Sequence, residues 1–283
     1  MEQPVPHLTA RKFAMEGLRR LPRSPCFGLY LIEHGAGTVD VDGASHAFKA
    51  PALLCLSPYQ RTAFSGTKST SGWVLHFHAR FFCIEAHHHA VGCNGVLFND
   101  VYEVPLVRLT REVTAEIGGL MRSIATELQQ DDVAHLELLV STLKIVLIKA
   151  ARLKLRQEGP AGLIATKRPD TLRQLRELLE LHYQTEHRPS EYARLLGMSS
   201  KNLAQLVRVH LHKTMAELVR DRVMKHAKWQ LLHTAKSVKE IAAELGYDDE
   251  FYFSRLFKRA VGRAPVAFRE YETKLRAGSS LSM

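Results

Sequence analysis

Cysteine and histidine side chains cluster between residues 83 and 93 of this 283-residue chain. The cluster comprises Cys83, His87, His88, His89 and Cys93. Thiolate and imidazole groups are the ligands that zinc prefers, and Cys83, His87 and Cys93 have a spacing that could close on one ion. Thiols in this setting could also sense redox state. We favour the alternative, a buried Cys83 with solvated histidines on a loop, so we assign no cofactor and keep zinc as the second hypothesis.

Aromatic and imidazole side chains form another group around residues 73–78. Alternation along a strand places His76 and His78 on one face. Trp73, Tyr30 and Phe77 are candidates to line a pocket, although aromatic residues in a small β core commonly serve packing alone. The candidate ligand-binding residues are therefore Tyr30, Trp73, His76 and His78.

Positive charge is concentrated in the second half of the chain. The formal net charge is +10, of which residues 1–164 carry +2 and residues 165–283 carry +8. A basic unit joined to a nearly neutral one suggests that one half of the protein meets a polyanion. A basic surface that only favours solubility is the alternative, and charge alone does not separate the two.

Short segments with β character alternate with turn signals from Phe27 to about His78. Residues 27–34, 52–56 and 72–77 predict strands, and residues 38–48 predict a hairpin closed by Asp42-Gly43, a dipeptide that suits a type I′ turn. Many short strands separated by turns indicate an antiparallel sandwich or barrel. Residues 1–110 therefore predict a β domain.

Helical periodicity replaces this pattern after residue 110. Residues 111–130 predict one helix and residues 133–156 a second, with Asp131-Asp132 as its N-cap region. The second helix is apolar on so many sides that it needs several partners, either a second subunit or the β domain of the same chain. Segment 111–156 is therefore a candidate for dimerisation. Glycine and proline then predict a linker over 157–170, before a helical domain over 171–283.

The helical domain contains a helix-turn-helix pattern twice. In the first copy Ala193 precedes Gly197 by four residues, and in the second Ala242 precedes Gly246 by four. Alanine suits the close approach of two helices, and glycine suits a turn with positive φ. Apolar residues at helical spacing surround both pairs, and Ser199 is a suitable N-cap for the first copy's second helix. The second turn is one residue longer than the first.

One continuous helix is predicted between the two copies, over residues 215–233. About twenty residues at 1.5 Å rise span about 30 Å. Adjacent major grooves on one face of B-DNA lie about 34 Å apart. A single chain could therefore place the second helix of each copy in adjacent major grooves, and a plain helical bundle is the alternative.

Residues 171–273 resemble the DNA-binding domain of the arabinose-operon regulator (AraC/XylS) family, most closely over Ile241–Arg269. The first half resembles the cupin-type sensing domain of many members, followed by their helical dimerisation segment. The resemblance implies an α+β protein, with an N-terminal antiparallel cupin-like jelly roll, a helical pair and a C-terminal all-α domain with two helix-turn-helix motifs. It also implies that the β domain binds a small effector. Metal-binding cupins have a His-x-His pair followed by Glu four or five positions after the second histidine. After His76 and His78 those positions are Phe82 and Cys83, so a cupin enzyme is not supported.

Two positions depart from the family pattern. We call the second helix of each copy its recognition helix. The family has glycine directly after this helix; the second copy has Gly262 there, but the first copy has His212. Val207-Arg208 replaces the usual Phe-Lys. A left-handed conformation costs a residue other than glycine about 1 kcal/mol, so we expect the turn at His212 to differ and the first copy to dock less typically.

Outward-facing residues of the two recognition helices are the candidates for DNA contact. They are Lys201, Asn202, Gln205 and Arg208 in the first copy, and Glu250, Phe251, Ser254, Arg255 and Lys258 in the second. Arg255 suits guanine, Gln205 suits adenine and Phe251 suits a thymine methyl group. Lys201, Arg208 and Lys258 suit phosphate. Glu250 could accept from cytosine or only stabilise the helix N-terminus.

The sequence therefore predicts a transcription regulator, more specifically a ligand-responsive activator. Its expected partners are promoter DNA, RNA polymerase, a small effector and a second copy of the chain. No apolar run is long enough to span a membrane, residues 1–21 lack a secretory pattern, and four cysteines are too few for a disulfide scaffold, so we expect a cytoplasmic protein associated with the nucleoid. No glycine-rich phosphate loop, nucleophile elbow or convincing acid pair indicates an enzyme. A regulator that senses metal or redox state through Cys83, His87 and Cys93 remains the alternative.

Overall fold

The computed structural model describes residues 7–82, 96–98, 105–130, 132–158 and 170–277. The chain divides into two compact units, residues 1–167 and 168–283. Their boundary falls within the linker suggested by the sequence, most of which lies outside the described ranges. Within those ranges no helix has both the length and the apolar character that a membrane span requires.

An antiparallel sheet forms the first unit, as the sequence predicts. Its described strands are β1 (Leu8–Leu21), β2 (Cys26–His34), β3 (Ala36–Val41), β4 (Ala44–Lys49), β5 (Ala52–Leu56), β6 (Thr62–His78) and β7 (Leu106–Arg108). The strand order is β4-β3-β6-β2-β5-β7, and β1 also pairs with β6. One edge of β6 pairs with β1, while the other edge pairs with β3 and then with β2. The long strand β6 therefore joins the two halves of the sheet.

The predicted hairpin forms at Asp42-Gly43. Asp42 has φ 54° and Gly43 has φ 92°, and positive values at both central positions are what a type I′ turn requires. Asp42 also fixes the neighbouring chain, because its carboxylate accepts a hydrogen bond from the backbone N–H of Arg61 at 2.8 Å. By contrast, the sequence predicts neither β1 nor the first half of β6, where charged residues or Ser, Thr and Gly interrupt the apolar alternation.

Both faces of β2 are buried because each face has its own apolar cover. Leu29 and Leu31 belong to a core that includes residues from the helices following the sheet. Tyr30 and Ile32 belong to a second core, formed with apolar residues of β3 to β6. The sheet therefore separates a helix-covered side from an interior enclosed by strands.

Two helices cover the first of these cores, α1 (Arg111–Glu127) and α2 (His135–Glu158). The side chain of Thr110 caps α1 by accepting from the N–H of Val113. One face of α2, with Leu143 and Leu147, is buried against the β unit. Helix α2 begins two residues later than the sequence suggests.

Seven helices are described in the second unit. They are α3 (Asp170–His182), α4 (Pro189–Leu195), α5 (Ser200–Leu211), α6 (Met215–His233), α7 (Val238–Glu244), α8 (Glu250–Val261) and α9 (Pro265–Ala277). Helices α4 and α5 form the first predicted helix-turn-helix, and α7 and α8 form the second. The continuous helix predicted over residues 215–233 is confirmed as α6.

The turns of the two copies have the same hydrogen bonds. Gly197 has φ 65° and Gly246 has φ 76°. The carbonyl of Ala193 accepts from the residue after Gly197 at 3.0 Å, and the carbonyl of Ala242 accepts from the residue after Gly246 at 2.9 Å. The recognition helix begins three residues after Gly197 but four after Gly246, which confirms the one-residue difference.

The turn after the first recognition helix has the same backbone geometry as the turn after the second, although its residue is histidine and not glycine. His212 ends α5 with φ 56°, and Gly262 ends α8 with φ 91°. Each backbone N–H donates to the carbonyl four residues earlier, Arg208 or Lys258. The expectation that this turn differs between the copies is therefore wrong, because hydrogen bonding and the start of the next helix impose the same left-handed conformation on both.

Because the backbone of His212 is in the left-handed conformation, we predict a difference in stability between two variants at this position. His212→Gly should be more stable than His212→Ala by about 1 kcal/mol, because both variants lose the imidazole and only alanine keeps the penalty of a Cβ at positive φ. Chemical denaturation of the two variants measures the difference. Gly262→Ala is the matched control and should lose a similar amount. Equal stability of His212→Gly and His212→Ala would contradict this interpretation.

Candidate nucleic-acid interface

Helix α5 exposes its polar side chains because its apolar side chains fill the core. Leu203 and Val207 are buried, and the hydroxyl of Ser199 caps the helix by accepting from the N–H of Asn202 at 3.2 Å. The four predicted contact residues are all exposed: Lys201, Asn202, Gln205 and Arg208. Positions 201, 205 and 208 follow one face of the helix, so the structure brings these residues into one stripe.

Helix α8 packs through aromatic side chains, and its exposed residues differ from those of α5. Phe253 and Phe257 are buried, and Phe257 contacts Phe268 of α9 edge to face with ring centroids 5.5 Å apart. The carboxylate of Asp249 caps α8 by accepting from the N–H groups of residues 251 and 252. Packing therefore fixes the outward face of the helix.

The predicted contact residues of α8 all lie on its accessible side. Phe251, Arg255 and Lys258 are exposed, whereas Glu250 and Ser254 are half-buried. Phe251 is 76% exposed, which is unusual for a phenylalanine in a packed domain and suits contact with a partner. Tyr252, at 48% exposure, and Arg259 flank the stripe. Sequence reasoning omitted these two residues, although both lie within one helical turn of the predicted contacts.

Helix α6 connects the two recognition helices. A capping box starts it, because the Thr214 hydroxyl accepts from the Glu217 N–H while the Glu217 carboxylate accepts from the Thr214 N–H. Its 19 residues correspond to about 28 Å of axial rise. This length is close to the distance of about 34 Å between adjacent major grooves on one face of DNA.

In the β unit, Tyr30 and His76 contact each other. The Tyr30 hydroxyl lies 3.0 Å from His76 Nε2. Gly28 leaves room for both rings, since a Cβ there would lie 3.0 Å from the Tyr30 ring and 3.3 Å from the His76 ring. Burial, with a smaller contribution from Arg11, lowers the pKa of His76 to about 4, and burial raises the pKa of Tyr30 to about 12. Both groups are therefore neutral near pH 7.

The other predicted ligand-binding residues do not all join this pair. Trp73 and Phe77 belong to the helix-covered core, whereas Tyr30 belongs to the strand-enclosed core. The prediction that these three aromatic residues line one pocket is therefore wrong. Side chains alternate along β6, so residues 73 and 77 point to one face of the strand and residue 74 points to the other. Residue 74 is the cross-strand partner of Tyr30, which therefore lies on the face opposite to Trp73 and Phe77. His78 shares the parity of His76, is buried, and accepts from the N–H of Arg80 at 3.2 Å.

The candidate metal ligands Cys83, His87 and Cys93 lie outside the described residues. Inside the described ranges no group of three or more His, Cys, Asp or Glu side chains could hold a metal ion. Burial raises the pKa of Cys55 to about 12, so this thiol is protonated and has little nucleophilic character.

A family model and several known proteins match part of the chain. A family model described as a helix-turn-helix domain matches residues 192–271. The chain is 36% identical over 76 residues to the HTH-type transcriptional activator RhaR of Enterobacter sp. (strain 638), covering 27% of each chain. It is 34% identical over 77 residues to the regulatory protein SoxS of Salmonella typhimurium, covering 27% of this chain and 72% of SoxS.

One solved structure is similar to part of the chain. The C-terminal domain of AraT, a response regulator from Geobacillus stearothermophilus, is 27% identical with a TM-score of 0.36, covering 40% of this chain and 91% of that one. The chain spans only 27% of the length of RhaR, and 43% and 35% of two further curated relatives. The likeness to these three relatives therefore concerns one part of each protein.

The exposure of Arg255 on α8 leads to a prediction for DNA affinity when its guanidinium group is removed. Arg255→Ala should weaken binding to a selected DNA site by about 1–3 kcal/mol and relax the preference at one base pair, because a bidentate contact to guanine is lost. The control is Arg173→Ala, which removes an exposed positive charge from α3, where Arg173 pairs with Glu177 at 2.8 Å. A gel-shift titration compares the two variants. Equal affinities would remove Arg255 from the interface.

Proposed function

Since the chain belongs to the AraC/XylS family of transcription regulators, we propose that it binds promoter DNA sequence-specifically and regulates transcription there. The observation that carries the proposal is the duplicated helix-turn-helix with an exposed polar stripe on each recognition helix. Each stripe carries side chains that read base edges together with cations that suit phosphate. The two copies would occupy adjacent major grooves, joined by α6.

The β unit supports regulation by a small effector. Tyr30 and His76 form a neutral hydrogen-bonding pair beside an apolar core enclosed by strands. Small-molecule sites commonly combine an apolar lining with a few polar groups of this kind. We propose that the regulator acts in the cytoplasm as an activator, with RNA polymerase as its further partner, and that the effector binds this unit.

Helix α2 supports assembly of two copies. Leu138, Ile145 and Leu155 are 52%, 43% and 50% exposed. Positions 138, 145 and 152 repeat every seven residues, as do positions 141, 148 and 155. Leu138, Ile145, Ile148 and Leu155 are the apolar members of these two rows, Ser141 and Arg152 are the polar ones, and Ile148 also packs against the core of its own unit. A seven-residue repeat with two rows of mainly apolar residues is typical of a helix that packs against a second helix.

The proposed DNA binding is tested by selecting fragments of the encoding genome with the purified full-length chain at stated salt. We expect enrichment of sites that contain two contacts about one helical turn apart upstream of promoters, with affinity falling steeply as salt rises. The control is a chain carrying Arg208→Ala and Arg255→Ala, which should recover the same sites poorly. Equal recovery of random fragments by both chains would contradict sequence-specific binding.

The proposed α2 interface predicts that a charge at its centre separates the copies. Ile145→Glu should weaken self-association by at least about tenfold, because a carboxylate would be buried without a partner. Val133→Glu is the matched control, since Val133 is 95% exposed and precedes the helix. Analytical ultracentrifugation at several concentrations measures the association. A dimer that Ile145→Glu leaves intact would exclude this face as the interface.

A further inference from the structure

A chain of polar side chains runs along α6 and joins it to α3 and α7. At one end the Arg222 guanidinium donates to both carboxylate oxygens of Glu180 at 2.8–2.9 Å and lies 3.8 Å from the centre of the Tyr183 ring. The Tyr183 hydroxyl lies 2.6 Å from His226 Nδ1. These contacts attach α6 to α3 and to the residue that follows α3.

At the other end an amide group forms a hydrogen bond between α6 and the second helix-turn-helix. Gln230 Nε2 donates to Glu244 Oε2 at 2.8 Å and lies 3.2 Å from His226 Nε2. Glu244 is the last residue of α7, and its other oxygen accepts from Lys236 Nζ at 2.5 Å. The Gln230 amide is therefore a bridge between α6 and the last residue of α7, the first helix of the second copy.

The hydrogen bonds of the Gln230 amide require a neutral His226. The amide nitrogen has two hydrogens, and one goes to the Glu244 carboxylate while the other points to His226 Nε2. His226 Nε2 must then accept, so its proton is on Nδ1 and is donated to Tyr183. Gln230 Oε1 is buried and has no hydrogen-bond partner among the described residues. The amide is thus oriented by its two nitrogen contacts.

Several charged groups face His226 from the surrounding elements. Burial lowers the pKa of His226, Arg222 and Lys236 lower it further, and Glu244 and Glu180 oppose them. The Glu244 carboxylate is held ionised, because its hydrogen bonds with Lys236 and Gln230 lower its pKa. Near pH 7 the groups are therefore in the states that the amide bridge requires.

We propose that Gln230 is the positioning residue that holds the second helix-turn-helix on α6, and that a proton on His226 releases it and weakens DNA binding. A protonated His226 carries hydrogens on both nitrogens, and Nε2–H then faces the amide hydrogens of Gln230. If the amide rotates to accept this proton, its oxygen faces the Glu244 carboxylate and the bridge to α7 is lost. The consequence for DNA rests on the proposed function, whereas the bridge itself does not.

The direction of the pH dependence follows from the depressed pKa. The unfolded chain protonates this histidine near its ordinary value of 6.5, whereas the folded chain does so only at lower pH. The bridge is therefore intact at pH 6.5 and above, and it is lost only as the pH falls through the lower pKa that His226 has in the folded chain. Changes of charge elsewhere on the chain also alter DNA binding as the pH falls, so a variant without His226 is needed as reference.

The experiment compares three variants of the full chain with the unsubstituted protein, using a DNA fragment recovered by selection. His226→Gln removes the titrating ring but keeps an oxygen that can accept from the Gln230 amide. Glu244→Ala removes the bridge at an exposed position. Lys236→Ala is its control, because it removes the ion pair with Glu244 and leaves the Glu244 carboxylate in place to accept from Gln230. Affinity is measured at about pH 7.5 and about pH 5.5. Hydrogen exchange of the α7 amides is measured without DNA.

We expect Glu244→Ala to lose about tenfold in affinity at the higher pH and Lys236→Ala about twofold at most, because only Glu244→Ala removes the charged acceptor of the Gln230 amide. The unsubstituted protein should lose affinity on acidification by at least about fivefold more than His226→Gln does. Exchange in α7 should be faster in Glu244→Ala than in Lys236→Ala.

Two results would overturn the proposal. One is an equal pH dependence for the unsubstituted protein and His226→Gln, and the other is equal affinity and equal α7 exchange for Glu244→Ala and Lys236→Ala. If the unsubstituted protein binds no fragment at either pH, the proposed function fails. In that case α7 exchange in the unsubstituted chain and in His226→Gln, compared across pH, still decides whether the bridge exists and responds to His226.

Discussion

A single helix, α6, is shared by the two helix-turn-helix copies, and this sharing constrains the whole DNA-binding unit. Its N-terminal end follows the left-handed turn at His212, while its C-terminal part reaches the polar bridge to Glu244. Helix α6 contacts α5 of the first copy and both α7 and α8 of the second, and most of its apolar side chains are buried. The distance between the recognition helices is therefore set by helical rise and side-chain packing.

The two copies use the same backbone plan with different chemistry. Both have a positive-φ glycine in the turn and two buried apolar residues four positions apart in the recognition helix. The first recognition helix is capped by a hydroxyl and presents only aliphatic or polar side chains. The second is capped by the Asp249 carboxylate and presents the exposed ring of Phe251. Shared packing with different surfaces is what two copies need if they read different base sequences.

Local patterns were sufficient to predict the helix-turn-helix copies, the hairpin and α6. Alanine, glycine and apolar spacing act within about twenty residues, and Asp42-Gly43 specifies its turn alone. The prediction that Trp73 and Tyr30 line one pocket is wrong because the side of the sheet that each residue faces depends on the pairing of β2 with β6. That pairing places Tyr30 opposite Val74, forty-four positions along the chain. The amide bridge of Gln230 could not be predicted because its acceptor, Glu244, lies on another helix, and only the packing of α7 against α6 brings the two side chains together.

The central claim is that one chain holds both recognition helices at a fixed separation on DNA. The direct test is binding to a selected site into which about five base pairs, half a helical turn, are inserted between the two contacts. A fixed separation predicts that affinity falls to the level of a site with one contact destroyed, and that inserting about ten base pairs does not restore it. Undiminished affinity for the half-turn insertion would show that the two copies bind independently and would contradict the account.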